Sequence, residues 1–222
     1  MERTRNDKNP KHEHGKCLKC GEICSTAKAT THLLKCIVSS QSPTEGFLVR
    51  VSGAGQPNLY WMYIAVPKLV SLSQLDRFLR DIWLECCGHL SEFTINSKRY
   101  MSHTESGRPS QSMKNTVGQL LSPNLEFEHV YDMGSSTELE LKVIEAISSC
   151  PKKEITLLMR NDPPPFSCTS CKKTPEIICS MCGETTCADC SEDHSCAIDE
   201  GDTYMLMTLV NSPRAGVCGY EG

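Results

Sequence analysis

No stretch of apolar residues in this sequence approaches the roughly 18 needed to cross a bilayer. The longest is LYWMYIAV, at 59–66. The opening MERTRNDKNPKHEHGK has no apolar core, so no signal peptide is expected. Strong charge of one sign is missing too. The formal net charge is -4, too mild to create the global field of a nucleic-acid binder. P-loop, G-x-S-x-G, H-E-x-x-H and dinucleotide-binding fingerprints are all absent. Together these absences predict a cytoplasmic chain with no membrane contact and none of the common nucleotide or hydrolase sites.

Cysteine, by contrast, is abundant: 15 residues in a chain of 222. A cytosolic protein holds few disulfides, so such a number points to metal or redox chemistry. The cysteines are clustered. In the first group, Cys17-x2-Cys20 precedes His32-x3-Cys36. A C-x2-C turn puts two sulfurs on one ion, and a His and Cys one helical turn apart can supply the other two corners. Gly21 lets the backbone fold over the sulfurs. Cys24 is spaced less well to compete as a ligand. The second group contains Cys168, Cys171, Cys179, Cys182, Cys187, Cys190, His194 and Cys196. Sequential pairing would close very short loops. Interleaved pairing gives ordinary zinc spacings, with Cys168, Cys171, Cys187 and Cys190 on one ion and Cys179, Cys182, His194 and Cys196 on the other. The prediction is three structural zinc ions. Iron–sulfur clusters usually need four cysteines, and two of these three sets contain a histidine. Sites closed by four protein ligands leave no position for an activated water, which argues against a zinc hydrolase.

The clusters divide the chain. Residues 1–16 read as a disordered polar arm and 17–38 as a C2HC-type zinc finger, with a linker at 39–45. Residues 46–162 carry the patterns of an α+β domain in the order β-β-α-β-β-α-β-β-β, with an antiparallel or mixed sheet and two helices. VSLSQLDRFLRDIWLECCG is the strongest helix, with Leu72, Leu75, Phe78, Leu79, Ile82, Trp83 and Cys86 on one face. Ser71 and Gln74 are spaced as a capping box, Val70 and Leu75 as a hydrophobic staple, and Gly88 as the terminator. Met113, Val117, Leu120 and Leu121 mark a second helix. LEFEHVYDMGSSTELELKVIEAI alternates as a hairpin turning at DMGSS. PPPFS at 163–167 is a stiff linker. A cross-brace module at 166–198 follows, then a strand and a docked tail at 202–222. Lys and Arg against Asp and Glu number 8 and 4 over residues 1–40, 12 and 14 over 41–165, and 3 and 9 over 166–222. A basic head and an acidic end therefore flank a neutral middle.

The second cysteine group resembles cross-brace zinc modules such as the B-box and AN-one-type fingers, which implies a protein-interaction role. The strand pair, the helix, the H-L-x-x-F at 89–93 and the Tyr131-Asp132-Met133-Gly134 turn resemble the plasmid pRiA4b Orf-3-like family. Those proteins are often described as TnpR-like products of insertion sequences. The ending NSPRAGVCGYEG is similar to archaeal members bearing zinc clusters. The resemblance covers most of residues 46–222 and implies an association with mobile elements but no defined activity. The Trp and His that often follow the Y-D-x-G turn in that family are replaced by SSTEL here.

Four further residues are candidates for a pocket. Arg214 is the only basic residue of the tail and could bind an anion there, with Cys218 beside it. His89 follows the main helix, and Asp132 shapes the turn; both also have ordinary structural readings. Cys86 reads as core, while Cys24, Cys87, Cys150 and Cys218 have no assigned partners. Glu126, Glu128, Asp132, Glu138 and Glu140 could suggest a nuclease centre, but their alternation with apolar residues fits a solvated sheet face better. The expected function is a non-enzymatic zinc-binding adapter or accessory protein. A protein partner would suit the acidic module, and nucleic acid the basic arm and finger. The alternative is an enzyme, a hydrolase or nuclease, with its site between sheet and tail.

Overall fold

The computed structural model describes residues 14–38, 44–103, 110–150, 152–201 and 203–222. The expected arm at 1–16 and linker at 39–45 lie mostly outside these residues. At the centre are two long adjacent strands, β3 (Gly46–Gly53) and β9 (Thr137–Ile147), paired antiparallel. The partner of β3 on its other side is β4 (Trp61–Pro67). β9 forms the expected hairpin with β8 (Glu126–Tyr131), turning through the DMGSS segment. β8 in turn pairs with β5 (Ser91–Ile95), which forms a hairpin with β6 (Lys98–Met101). A short strand, β7 (Gln111–Ser112), runs parallel to β6, so the sheet is mixed.

The alternation read from sequence sets the two faces. On β8 and β9, Phe127, His129, Tyr131, Leu139, Leu141 and Val143 are buried, while Glu126, Glu128, Glu138 and Glu140 are exposed. Over the buried face lies α2 (Leu72–Leu79), with Leu72, Leu75 and Leu79 fully buried. Truncating any of these leucines to alanine would cost about 2–5 kcal/mol through lost transfer energy and the cavity left behind. Ser71 and Gln74 make the capping box reciprocally.

The helix is shorter than its periodicity suggested. At Arg80 it loosens into a π turn, Arg80–Leu84, where the Glu85 N–H reaches the Arg80 carbonyl at 2.8 Å. The one-residue offset carries Trp83 and Leu84 into the core and ends the element before Cys86. Gly88 adopts the left-handed conformation, φ 73°, but in the loop beyond the helix. The second helix contracts to α3 (Val117–Leu120); Met113 is buried from an adjoining turn.

Two domain boundaries also shift. The first cysteine group is not a separate finger. Its knuckle begins in β1 (His14–Cys17), which pairs with β10 (Thr156–Asn161) and then with β2 (Ile23–Ser25). β10 itself pairs with β4, so one ten-stranded sheet runs β2-β1-β10-β4-β3-β9-β8-β5-β6-β7. The open edge of β10 is a pairing surface that the knuckle strand covers. α1 (Thr26–Val38) then packs on the sheet's second face, where Ala29, Leu33 and Ile37 meet Leu48, Trp61, Tyr63 and Ala65. At the other end, β11 (Ile177–Cys179), β12 (Thr185–Thr186) and β13 (Leu206–Thr208) make a small sheet, so the predicted last strand completes the cysteine-rich module. Two short helices, α4 (Ala188–Ser191) and α5 (Ser195–Glu200), complete this region. The α+β class stands. The described residues hold more than two helices: α2 and α3 lie within 46–162, and α1, α4 and α5 lie in the flanking cysteine-rich segments. No helix among them is long and apolar enough to cross a membrane.

Candidate metal centres

The structure brings the twelve sequence-predicted ligands together in three tetrads. They are Cys17, Cys20, His32 and Cys36; Cys168, Cys171, Cys187 and Cys190; and Cys179, Cys182, His194 and Cys196, the interleaved pairing. Within each tetrad all ligand atoms lie within 4.8 Å of one another. A tetrahedral ion with bonds of about 2.3 Å to sulfur and 2.0 Å to nitrogen holds its ligand atoms about 3.5–3.8 Å apart. Cys171 Sγ to Cys187 Sγ, at 3.6 Å, falls within that range, and the two sulfur–nitrogen contacts lie just below it, Cys182 Sγ to His194 Nε2 at 3.4 Å and Cys20 Sγ to His32 Nε2 at 3.3 Å. No cysteine among the described residues is joined in a disulfide.

Local backbone builds these sites. The residue after the second cysteine is left-handed in three of the four C-x2-C turns: Gly21 at φ 81°, Lys172 at 65° and Gly183 at 75°; in the fourth, Cys187-x2-Cys190, the chain runs on in the helix Ala188–Ser191. That conformation turns backbone N–H groups toward the first sulfur. N–H groups of Cys171 and Cys187 hold the Cys168 thiol down at about 6. The Cys190 thiol is pushed up to about 12 by its contacts with Cys171, Cys187 and Cys168. Four converging thiols cannot all ionise without a cation between them, and a divalent metal is the group that fits. Each histidine presents Nε2 to the sulfurs and turns Nδ1 toward a carboxylate, at 3.1 Å from Glu22 for His32 and 3.9 Å from Glu184 for His194. This carboxylate–histidine arrangement orients a metal ligand. Cys24 is buried in the core and stands outside the first tetrad, as its spacing implied.

The four remaining candidates also converge, but not as an anion pocket. Arg214 is fully buried, and its guanidinium donates to Asp132 at 2.8 Å, to the Thr137 hydroxyl at 2.9 Å and to the Ser135 carbonyl at 3.1 Å. Its charge is met inside the protein, so the expectation that it would take an anion gives way to a role in docking the tail. Asp132, left-handed at φ 66°, also accepts from the Gly134 and Ser135 N–H groups. Burial raises the Asp132 carboxyl, but Arg214 and these two N–H groups outweigh it and hold the group at about 2. His89 Nε2 lies 3.7 Å from Asp132 and 3.4 Å from Cys218 Sγ.

Sequence reasoning missed the groups beneath. Tyr131 lies under Arg214, 4.7 Å from the guanidinium to the ring centroid. Its hydroxyl donates to Glu85 at 3.0 Å and accepts from the N–H groups of Cys86 and His89. Glu85 pairs with Arg80, Arg80 with Asp76, and Asp76 with the fully buried His129 at 2.8 Å. The alternation of β8 was the available signal, since it turns a histidine inward with no apolar reason to be there.

No family model and no curated protein matches the chain. Among solved structures, one similar chain is a protein of unknown function, MM3350, from Methanosarcina mazei Go1. It is 16% identical, with a TM-score of 0.46, and the match covers 52% of this chain and 68% of that one.

Proposed function

We propose that this chain is a zinc-stapled accessory protein that presents surfaces to a macromolecular partner and performs no chemistry at its three tetrads. The observation that carries this reading is their completeness: each supplies four ligands, at distances suited to a tetrahedral ion. Catalytic zinc keeps a position open for water or substrate. Zinc is the fitting ion because thiolate and imidazole donors in four-coordinate sets favour it. In the small C-terminal module, whose own core is Cys179, Ala197 and Met205, metal supplies most of the folding energy.

The basic N-terminal head suits nucleic acid, and the acidic C-terminal region suits a protein with a basic surface. The resemblance to the pRiA4b Orf-3-like family supports a setting among mobile elements. Against the hydrolase or nuclease reading stand the burial and neutralisation of Arg214 and the solvated positions of Glu126, Glu128, Glu138 and Glu140.

Elemental analysis and a nucleic-acid titration test this together. Zinc should fill the tetrads stoichiometrically, and a pool of short DNA and RNA duplexes should bind at low salt and weaken steeply as salt rises. A chain without zinc would remove the first half of the reading. Absence of binding at low salt would remove the nucleic-acid half.

A further inference from the structure

A fourth cluster lies where no sequence spacing pointed. Cys86, Cys87 and His89 from the loop after the π turn meet Cys218 of the C-terminal tail, with all four ligand atoms within 4.8 Å of one another. We propose that these residues form a fourth metal site, for a soft divalent ion such as zinc, which clamps the tail onto the sheet domain. The inference does not depend on the accessory role proposed above.

Three independent features match the other tetrads. First, the donor set is three cysteines and one histidine, the composition of two of the three predicted centres. Second, His89 Nε2 lies 3.4 Å from Cys218 Sγ, and the same nitrogen lies 3.3 Å from sulfur in the pair His32 with Cys20 and 3.4 Å in the pair His194 with Cys182. Third, a left-handed glycine follows a cysteine at two places, Gly88 after Cys87 at φ 73° and Gly219 after Cys218 at 68°, as Gly21 follows Cys20 and Gly183 follows Cys182. Cys218 is itself left-handed at φ 51°, a conformation disfavoured for a residue with a side chain and one that needs a compensating interaction.

The surroundings supply outer partners. Arg214 Nη2 donates to Cys86 Sγ at 3.3 Å. Three thiolates and a neutral imidazole around a divalent ion leave one net negative charge, which this guanidinium faces. The Tyr131 hydroxyl and Glu85 fix the loop by accepting the N–H groups of Cys86, Gly88 and His89. On binding, the ion displaces the thiol protons to solvent, and no electrons move. The site differs from the others in being more open, because Cys87 and Cys218 are both exposed. It therefore exchanges metal with solvent faster than the closed tetrads.

The test compares the full-length chain with Cys87→Ser/Cys218→Ser, both reduced, loaded with zinc and freed of excess by gel filtration. The expected result is one zinc fewer per chain in the variant. Faster hydrogen exchange at the Val217 and Tyr220 amides, which close the tail's turns onto Arg214 and Val217, should accompany it. Because both replaced side chains are exposed, the core should be unaffected. If the double variant loses more than one ion, Cys218→Ser alone is measured with cobalt(II), and it must lose thiolate-to-cobalt absorption equivalent to one site. Equal metal content in the two proteins, or a Cys87–Cys218 disulfide in the untreated chain that leaves zinc content unchanged on reduction, would overturn the proposal.

Discussion

Arg214 and Asp132, 82 residues apart in the chain, share a 2.8 Å ion pair between side chains that are both buried. The pair joins the C-terminal tail to the turn between β8 and β9. A buried pair of this kind contributes little over an apolar substitute, but removing one partner leaves a charge stranded. Arg214→Met should therefore destabilise the fold by about 3–5 kcal/mol. Asp132→Asn tests the other side, since asparagine tolerates the left-handed backbone found there. In a double-mutant cycle read by urea denaturation, the two changes combined should cost clearly less than their sum. Strict additivity would mean that the pair is not energetically coupled.

The same carboxylate sets an acid-sensitive window. The Asp132 carboxyl is held at about 2 in the folded chain, below the ordinary value of 3.8. Its folded pKa is depressed, so its contribution to stability is present above about pH 4 and is lost as the pH falls toward 2. The stability gap between the natural chain and Asp132→Asn should be constant from pH 7 to about 4 and should narrow below that. Acid loss of metal affects both proteins, so it does not create the difference. A gap that stays constant down to pH 2 would contradict the depressed carboxyl.

Metal removal should act unevenly. The C-terminal module has a core of only three buried residues, whereas the sheet domain has extensive apolar cores on both faces. Chelation should therefore unfold residues 168–208 while the β3–β9 centre keeps its structure. Near-ultraviolet dichroism from the buried Trp61 and Trp83 should persist as protease cleavage appears in the module. Simultaneous loss of both signals would show that the module and the sheet fold as one unit.

What could be read in the sequence followed from local chemistry. The twelve tetrad ligands were legible because C-x2-C turns and short loops constrain which residues can reach one ion. The alternation of β8 and β9 was legible because a strand's two faces repeat every second residue. The fourth cluster was not legible. His89 and Cys218 are 129 residues apart, and Cys86 fits an apolar helix face as well as it fits a metal site. The periodicity of α2 continues past Arg80, so nothing in it announces the π turn that frees Cys86 from that face. The buried His129–Asp76 pair joins residues 53 positions apart, a distance over which periodicity carries no information.

The joining of the first cysteine group to the main sheet was hidden for the same reason, and Gly15 gives it a direct test. Gly15 lies in β1 opposite Asn161 of β10. A Cβ there would fall 2.4 Å from the Arg160 carbonyl oxygen and 2.6 Å from the Trp61 ring, contacts that neither the backbone nor a fully buried indole can relieve cheaply. Gly15→Ala should therefore push β1 off β10 without altering any metal ligand. Exchange at the Leu18 amide, which donates to the Leu158 carbonyl, should rise sharply, and stability should fall by about 1–3 kcal/mol, the usual cost of overpacking. Metal content should stay at the natural level, because Cys17, Cys20, His32 and Cys36 are brought together by the β1–β2 hairpin and α1 themselves. Loss of one ion in Gly15→Ala would instead show that the sheet is needed to form the first tetrad.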